Sequence, residues 1–411
     1  MCRQREAACF GDARMANITI ALVQVWPEAP LSLLIIVHLA ALFSACWCCH
    51  GETVRRRPDP SRLGMFHLTT AIGGVLGTAT VVFIAPLIFV SHLEHRVGLL
   101  VAAVLTVYAG RRAGARTISG WLVAAAAMLA VATMAVVPRF VHLPGENILA
   151  LQRSFFGVLS VRSLDADDPR HFRRELQHGI TTHGRQMGDP AARQRPTTYY
   201  GPTSGVGCAL QRLTSANRRV GLIGLGAGTL CTYARPGDHF RFYELDPLVE
   251  SMAHQWFSFL ADCRGTVDIQ IGDGRRLLAA ERHSSYDLLV LDAFSSDAIP
   301  VHLLTHEAFI LYRQHITDRG VIAVHISNRH LDLRPVVRAA AIRQGWPCFI
   351  IDDEPDEEDR LLCEPSIWVL TGPDPTLSTD PHLLNRSQKA EFPPRVVWWS
   401  DERADVISVL R

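Results

Sequence analysis

Lysine is almost absent from this chain of 411 residues: Lys389 is the only one, and the other 40 basic side chains are arginines. That scarcity excludes a phosphate-cradling G-x-x-x-x-G-K-[ST] loop. It also leaves Schiff-base chemistry no amine except one in a polar stretch near the C-terminus. An excess of positive charge is missing too. The 41 basic and 40 acidic side chains give a net +1, whereas nucleic-acid binders carry a basic surplus, so no nucleic-acid partner is expected. Ten cysteines are present without a framework. Cys46, Cys48 and Cys49 close an apolar run and the others are scattered, so no disulfide set and no metal site is expected.

What is present is segregated. Residues 1–150 hold seven carboxylates and twelve arginines, a net +5, and residues 151–411 hold 33 carboxylates against 29 basic groups, a net −4. Mean hydropathy is +0.13, high for a chain that is 20% charged. This predicts a membrane region over 1–148 with about four apolar helices, a small β-unit and substrate loop over 149–218, and a catalytic domain over 219–411. Stretches 31–49, 65–91, 97–110 and 117–138 lack Asp, Glu, Lys and Arg, and a hydrocarbon core about 30 Å thick needs roughly 20 apolar residues. No cleavable signal peptide is expected, because acidic residues interrupt the N-terminus. Arginines at 55–62 and 111–116 fall on one side of two intervening spans, which makes that side cytoplasmic. One further span would then carry the second half outside, whereas a nucleotide cofactor requires the inside. The expectation adopted is a multi-pass protein of an inner or plasma membrane, in contact with lipid, with a cytoplasmic catalytic domain.

Alternation of apolar residues predicts strands at 155–161 and 172–178, followed by a loop over 179–205. From residue 219, apolar runs at 220–224, 239–245, 267–271, 287–291, 320–326, 348–351 and 366–370 are separated by helix-length segments. That order is the signature of an α/β fold with a doubly wound, mostly parallel, Rossmann-like sheet preceded by a small β-unit.

Chemistry-bearing residues fall at the strand ends. The first strand–helix turn is Gly224-Leu225-Gly226-Ala227-Gly228, where glycines let backbone approach a ligand near a helix N-terminus. Twenty residues on, Glu244 ends the next strand, placed to accept both ribose hydroxyls. The third strand ends in Gly272-Asp273-Gly274-Arg275, setting a carboxylate beside bare backbone. The three together, in this order, predict an S-adenosyl pocket. The fourth strand ends at Asp292, with Asp297 soon after. Ligands of open α/β sheets bind at the carboxyl ends of strands, and a carboxylate there can hold a cationic amine and take its proton. Asp297 either shares that crevice or caps the helix beginning near Pro300.

These residues resemble a family. RSFFGVLSV from Arg153, the run from His178 through Thr181, His183 and Gly184 to Gln186, and PTTYY ending at Tyr200 are similar to the membrane-fused spermidine synthase-like proteins. So are GLIGLGAGT, YELDP, GDGR and LDAFSSDAIPVHLLT. The resemblance covers roughly residues 31–411. It implies a methyltransferase-like sheet and aminopropyl transfer from decarboxylated S-adenosylmethionine to a small amine, releasing methylthioadenosine. It assigns Glu244 to ribose, Asp273 to adenine, Asp292 to the attacking amine, and Gln186, Tyr199 and Tyr200 to a loop over the pocket. The chain departs from soluble spermidine synthases twice. Ala227 stands where those enzymes carry an aspartate for the aminopropyl ammonium, and Tyr199-Tyr200-Gly201 stands for Tyr-His-Glu. Two alternatives therefore stay open: methyl transfer from S-adenosylmethionine, and a non-catalytic nucleotide-sensing domain on a membrane anchor.

Overall fold

The computed structural model describes residues 49–91, single positions within 36–46 and 93–108, and residues 147–411 except 180, 283–284, 294–299, 358 and 388–391. The chain divides into two compact units, Met1–Pro144 and Gly145–Arg411. In the first, the helical run Pro60–Ile88 is 29 residues long and contains an 18-residue window with a mean hydropathy of 2.1. At 1.5 Å per residue it reaches about 40 Å, more than a hydrocarbon core requires. Met65, Leu76, Phe83 and Leu87 on it are exposed. It is the one helix among the described residues long and apolar enough to cross a membrane. Four such helices were expected. Stretch 117–138 lies wholly outside the described residues, and 31–49 and 97–110 lie largely outside them.

The second unit begins with an antiparallel sheet of four strands in sequential order: β1 Asn147–Ser154, β2 Gly157–Leu164, β3 Arg173–His178 and β4 Thr181–Met187. Strand β4 occupies what the sequence reading treats as the start of a loop. Its polar residues are compatible with burial because they are satisfied in pairs. The Arg185 guanidinium donates to Glu175 at 2.7 Å and to Glu364 at 2.6 Å, and hydrogen-bonded charges tolerate burial where lone ones do not.

A seven-stranded sheet follows, built from β5 Arg219–Ile223, β6 His239–Glu244, β7 Thr266–Ile271, β8 Tyr286–Leu291, β9 Ile316–His325, β10 Cys348–Asp353 and β11 Ser366–Thr371. Its order is β10-β11-β9-β8-β5-β6-β7. Strands β5 to β9 pair in parallel, and β11 runs antiparallel to both β9 and β10. This is the doubly wound, mostly parallel sheet the periodicity predicts. β5 carries no polar residue between Val220 and Ile223, as befits a strand covered on both faces. Successive side chains divide between two cores. Val220, Leu222, Phe240, Leu288 and Trp368 pack on one face, and Ile223, Tyr243, Leu289, Leu291 and Phe309 on the other. The chain enters at β5, proceeds outward to β7, then returns to β8 on the other side of β5. The crevice at that reversal, outside the carboxyl ends of β5 and β8, is where such folds bind ligands.

Candidate active site

A cleft opens at that crevice. Gly224 makes it possible. Its φ of +106° suits glycine, and a Cβ there would collide with the carbonyl of Asp292. The two strand ends therefore touch, with the Asp292 N–H donating to the Ile223 carbonyl at 2.9 Å. Asp292 is thereby fixed beside the glycine turn.

The turn is roofed by β4. A Cβ on Gly226 would meet the His183 carbonyl, and one on Gly184 would meet the side chain of Ala227. Ala227 is wholly buried and does not face the cleft. Gly228 takes a left-handed conformation against Phe259 and Leu260, so it shapes the turn without lining the cleft. Gly224, Leu225 and Gly226 do line it.

Glu244 ends β6 inside the cleft, 8% exposed. Its two oxygens accept the N–H groups of Leu225, at 3.0 Å, and Asp246, at 2.9 Å. Burial outweighs these two donors and pushes the carboxyl up to about 7. The remaining lone pairs are those a ribose diol would use. Between the ordinary carboxylate range and pH 7 the folded chain thus binds more protons at Glu244 than the unfolded chain, so this group's contribution to stability falls as pH rises through that window. An adenosyl ligand that donates hydroxyl protons favours the ionised form. Its affinity is expected to drop about tenfold between pH 8 and pH 6. Calorimetric titration with methylthioadenosine measures this, and Glu244→Gln is expected to bind more weakly with a flat pH response.

Asp273 caps and Gly274 begins helix α3 (Gly274–Ala280) at the end of β7, after α1 (Gly205–Arg212) and α2 (Pro247–Trp256). One Asp273 oxygen accepts the Arg276 N–H at 2.9 Å as an N-cap. The other lies 2.9 Å from Nε2 of His302, a cleft residue that the sequence reading did not single out.

Asp292 is held at both oxygens. Tyr200 Oη donates to its Oδ2 at 2.5 Å, and His325 Nδ1 lies 2.7 Å from Oδ1. Tyr199 and Tyr200 follow Thr198, whose φ of +56° is unusual for a β-branched residue. Hydrogen bonds with Leu362 and Glu364 hold that backbone in place. Burial and the negative charge of Asp292 push both phenols well above their ordinary range, so they are donors. His325 comes from the carboxyl end of β9, beside β8. The same strand-end rule that selects Asp292 would have found it.

Gln186 is not in the cleft. Its amide donates to Ser258 Oγ at 3.0 Å and to the Arg193 carbonyl at 3.3 Å, and its oxygen accepts the Ser258 N–H. It braces the β-unit against the segment after α2. Asp297 lies outside the described residues.

No protein-family model matches the chain. Over 112 residues, 26% of its length, it is 30% identical to a polyamine aminopropyltransferase of Vibrio vulnificus strain CMCP6. The chain resembles that enzyme in part. It spans 37% of the relative's length. A stretch of 160 residues, 35% of this chain, is 28% identical to an eEF1A lysine and N-terminal methyltransferase of Xenopus laevis, of which it spans 22%. Among solved structures, a probable spermidine synthase from Corynebacterium glutamicum ATCC 13032 aligns with a TM-score of 0.46 at 19% identity, over 62% of this chain and 91% of its own. Both sequence relatives are transferases.

Proposed function

We propose that the protein is an S-adenosyl-dependent transferase that acts on an amine, and that the group moved is aminopropyl, from decarboxylated S-adenosylmethionine. The observation that carries this reading is Asp292: a buried carboxylate beside the glycine turn, in one cleft with Glu244 and Asp273. The donor fits what is there. Bare backbone at Gly224 and Gly226 admits close approach, Glu244 offers lone pairs for ribose, and Asp273 with Gly274 borders the adenine side. When bound, the donor supplies a carbon made electrophilic by its sulfonium. Asp292 attracts the acceptor's ammonium and takes one proton from it. The freed nitrogen pair forms the N–C bond while the C–S electrons return to sulfur. Tyr199 and Tyr200 wall the acceptor side. The apolar helix Pro60–Ile88 supports attachment to a membrane, and the supply of an S-adenosyl donor calls for the second unit on the cytoplasmic face.

Methyl transfer is the second reading, and Ala227 favours it, because no acid stands at the turn to meet an aminopropyl ammonium. The products separate the two. Full-length protein given putrescine and decarboxylated S-adenosylmethionine is expected to release methylthioadenosine. Release of S-adenosylhomocysteine from S-adenosylmethionine, with no turnover of the decarboxylated donor, would transfer the assignment to methylation.

A further inference from the structure

The geometry points to His325 as the positioning residue of the site: its imidazole Nδ1 holds Asp292 in the orientation that captures a cationic amine. This rests on the reading of Asp292 as the group that receives the acceptor.

The imidazole is 4% exposed and clamped on both faces. The Trp368 indole stacks on it at 4.5 Å and 11°, and the Tyr199 ring lies 4.5 Å away on a 32° tilt. Trp368 in turn donates its Nε1–H to the Tyr199 carbonyl at 3.2 Å. The ring therefore cannot swing, and its two nitrogens have fixed neighbours: Asp292 at Nδ1, and Ser327 Oγ at 2.8 Å from Nε2. The Ser327 oxygen already accepts the Ile367 N–H at 2.8 Å. Its own hydroxyl proton is then available to Nε2, which leaves Nδ1 as the protonated nitrogen that donates to the carboxylate. Tyr200 holds the second oxygen.

A second cleft shares His183 and Tyr199 with the first, and His325 lines this second cleft.

Two measurements test the assignment. Full-length protein labelled with ¹⁵N-histidine is expected to show a downfield Nδ1 proton line that vanishes in His325→Asn and is lost or displaced in Asp292→Asn. A line unmoved by Asp292→Asn would overturn the assignment, whatever the enzyme's reaction. With decarboxylated S-adenosylmethionine and putrescine, His325→Phe is expected to lose about 100-fold in kcat/KM for the amine with donor KM unchanged. His325→Asn, whose amide can donate from the Nδ1 position, is expected to recover most of that loss. Undiminished turnover by His325→Phe, or no recovery in His325→Asn, would also overturn it. If the wild type turns over neither donor while the Nδ1 line responds as described, the reaction assignment fails and the positioning of Asp292 stands.

Discussion

Asp292→Asn is expected to lower kcat/KM for the amine by about 10³-fold, the range associated with losing a positioned base. Donor affinity is expected to stay within roughly threefold. The reason is geometric. The Asp292 side chain is held by Tyr200 and His325, whereas the ribose side of the cleft is built by Glu244 on another strand. The fold is expected to survive the change. An asparagine oxygen can accept from Tyr200, and its amide can donate to Nδ1 if His325 moves its proton to Nε2 and donates to Ser327. The variant thus removes the charge and the proton acceptor while keeping both neighbours bonded. Steady-state kinetics with calorimetric donor binding on the same preparation measures the split. Unchanged amine turnover would sink the assignment of Asp292, and an equal loss of donor binding would make its role structural.

Much of this site was legible because its chemistry is tied to strand ends. Gly224, Glu244, Asp273 and Asp292 each follow an apolar run, and a parallel sheet brings all such ends to one edge. Where the reading fell short, the cause was pairing across distant segments. Thr181–Met187 looks like loop because Arg185 and Gln186 are polar, but their partners Glu364 and Ser258 lie far along the chain. Those partners turn a polar stretch into strand β4 and take Gln186 out of the cleft. His325 was overlooked for the opposite reason. It ends a run so apolar that its imidazole reads as core, and only the adjacency of β9 to β8 sets it against Asp292. Ala227 shows a third limit. The sequence reveals that an acid is missing from the turn, but not that the space for it is closed.

That closure yields the second large effect. Ala227→Asp, which would restore the acid that soluble spermidine synthases carry in this turn, is expected to destabilise the protein by roughly 3–5 kcal/mol and to lower its melting temperature by about 10 °C. Ala227 is wholly buried, and its side chain faces Gly184 so closely that a Cβ on that glycine would clash. An aspartate adds bulk that β4 cannot yield without parting from the turn, and it adds a charge with no donor placed to meet it. Thermal unfolding of the full chain, with Ala227→Ser as the small polar control, measures the effect. The donor's tail must therefore meet other groups, and the residues lining the cleft there are His178 and His183, with ring centroids 5.8 Å apart beside the β4 roof. A histidine pair offers no fixed negative charge to an ammonium. If Ala227→Asp instead melts like the wild type and binds the decarboxylated donor more tightly, the turn has room for the acid and the packing account of Gly184 and Ala227 is wrong.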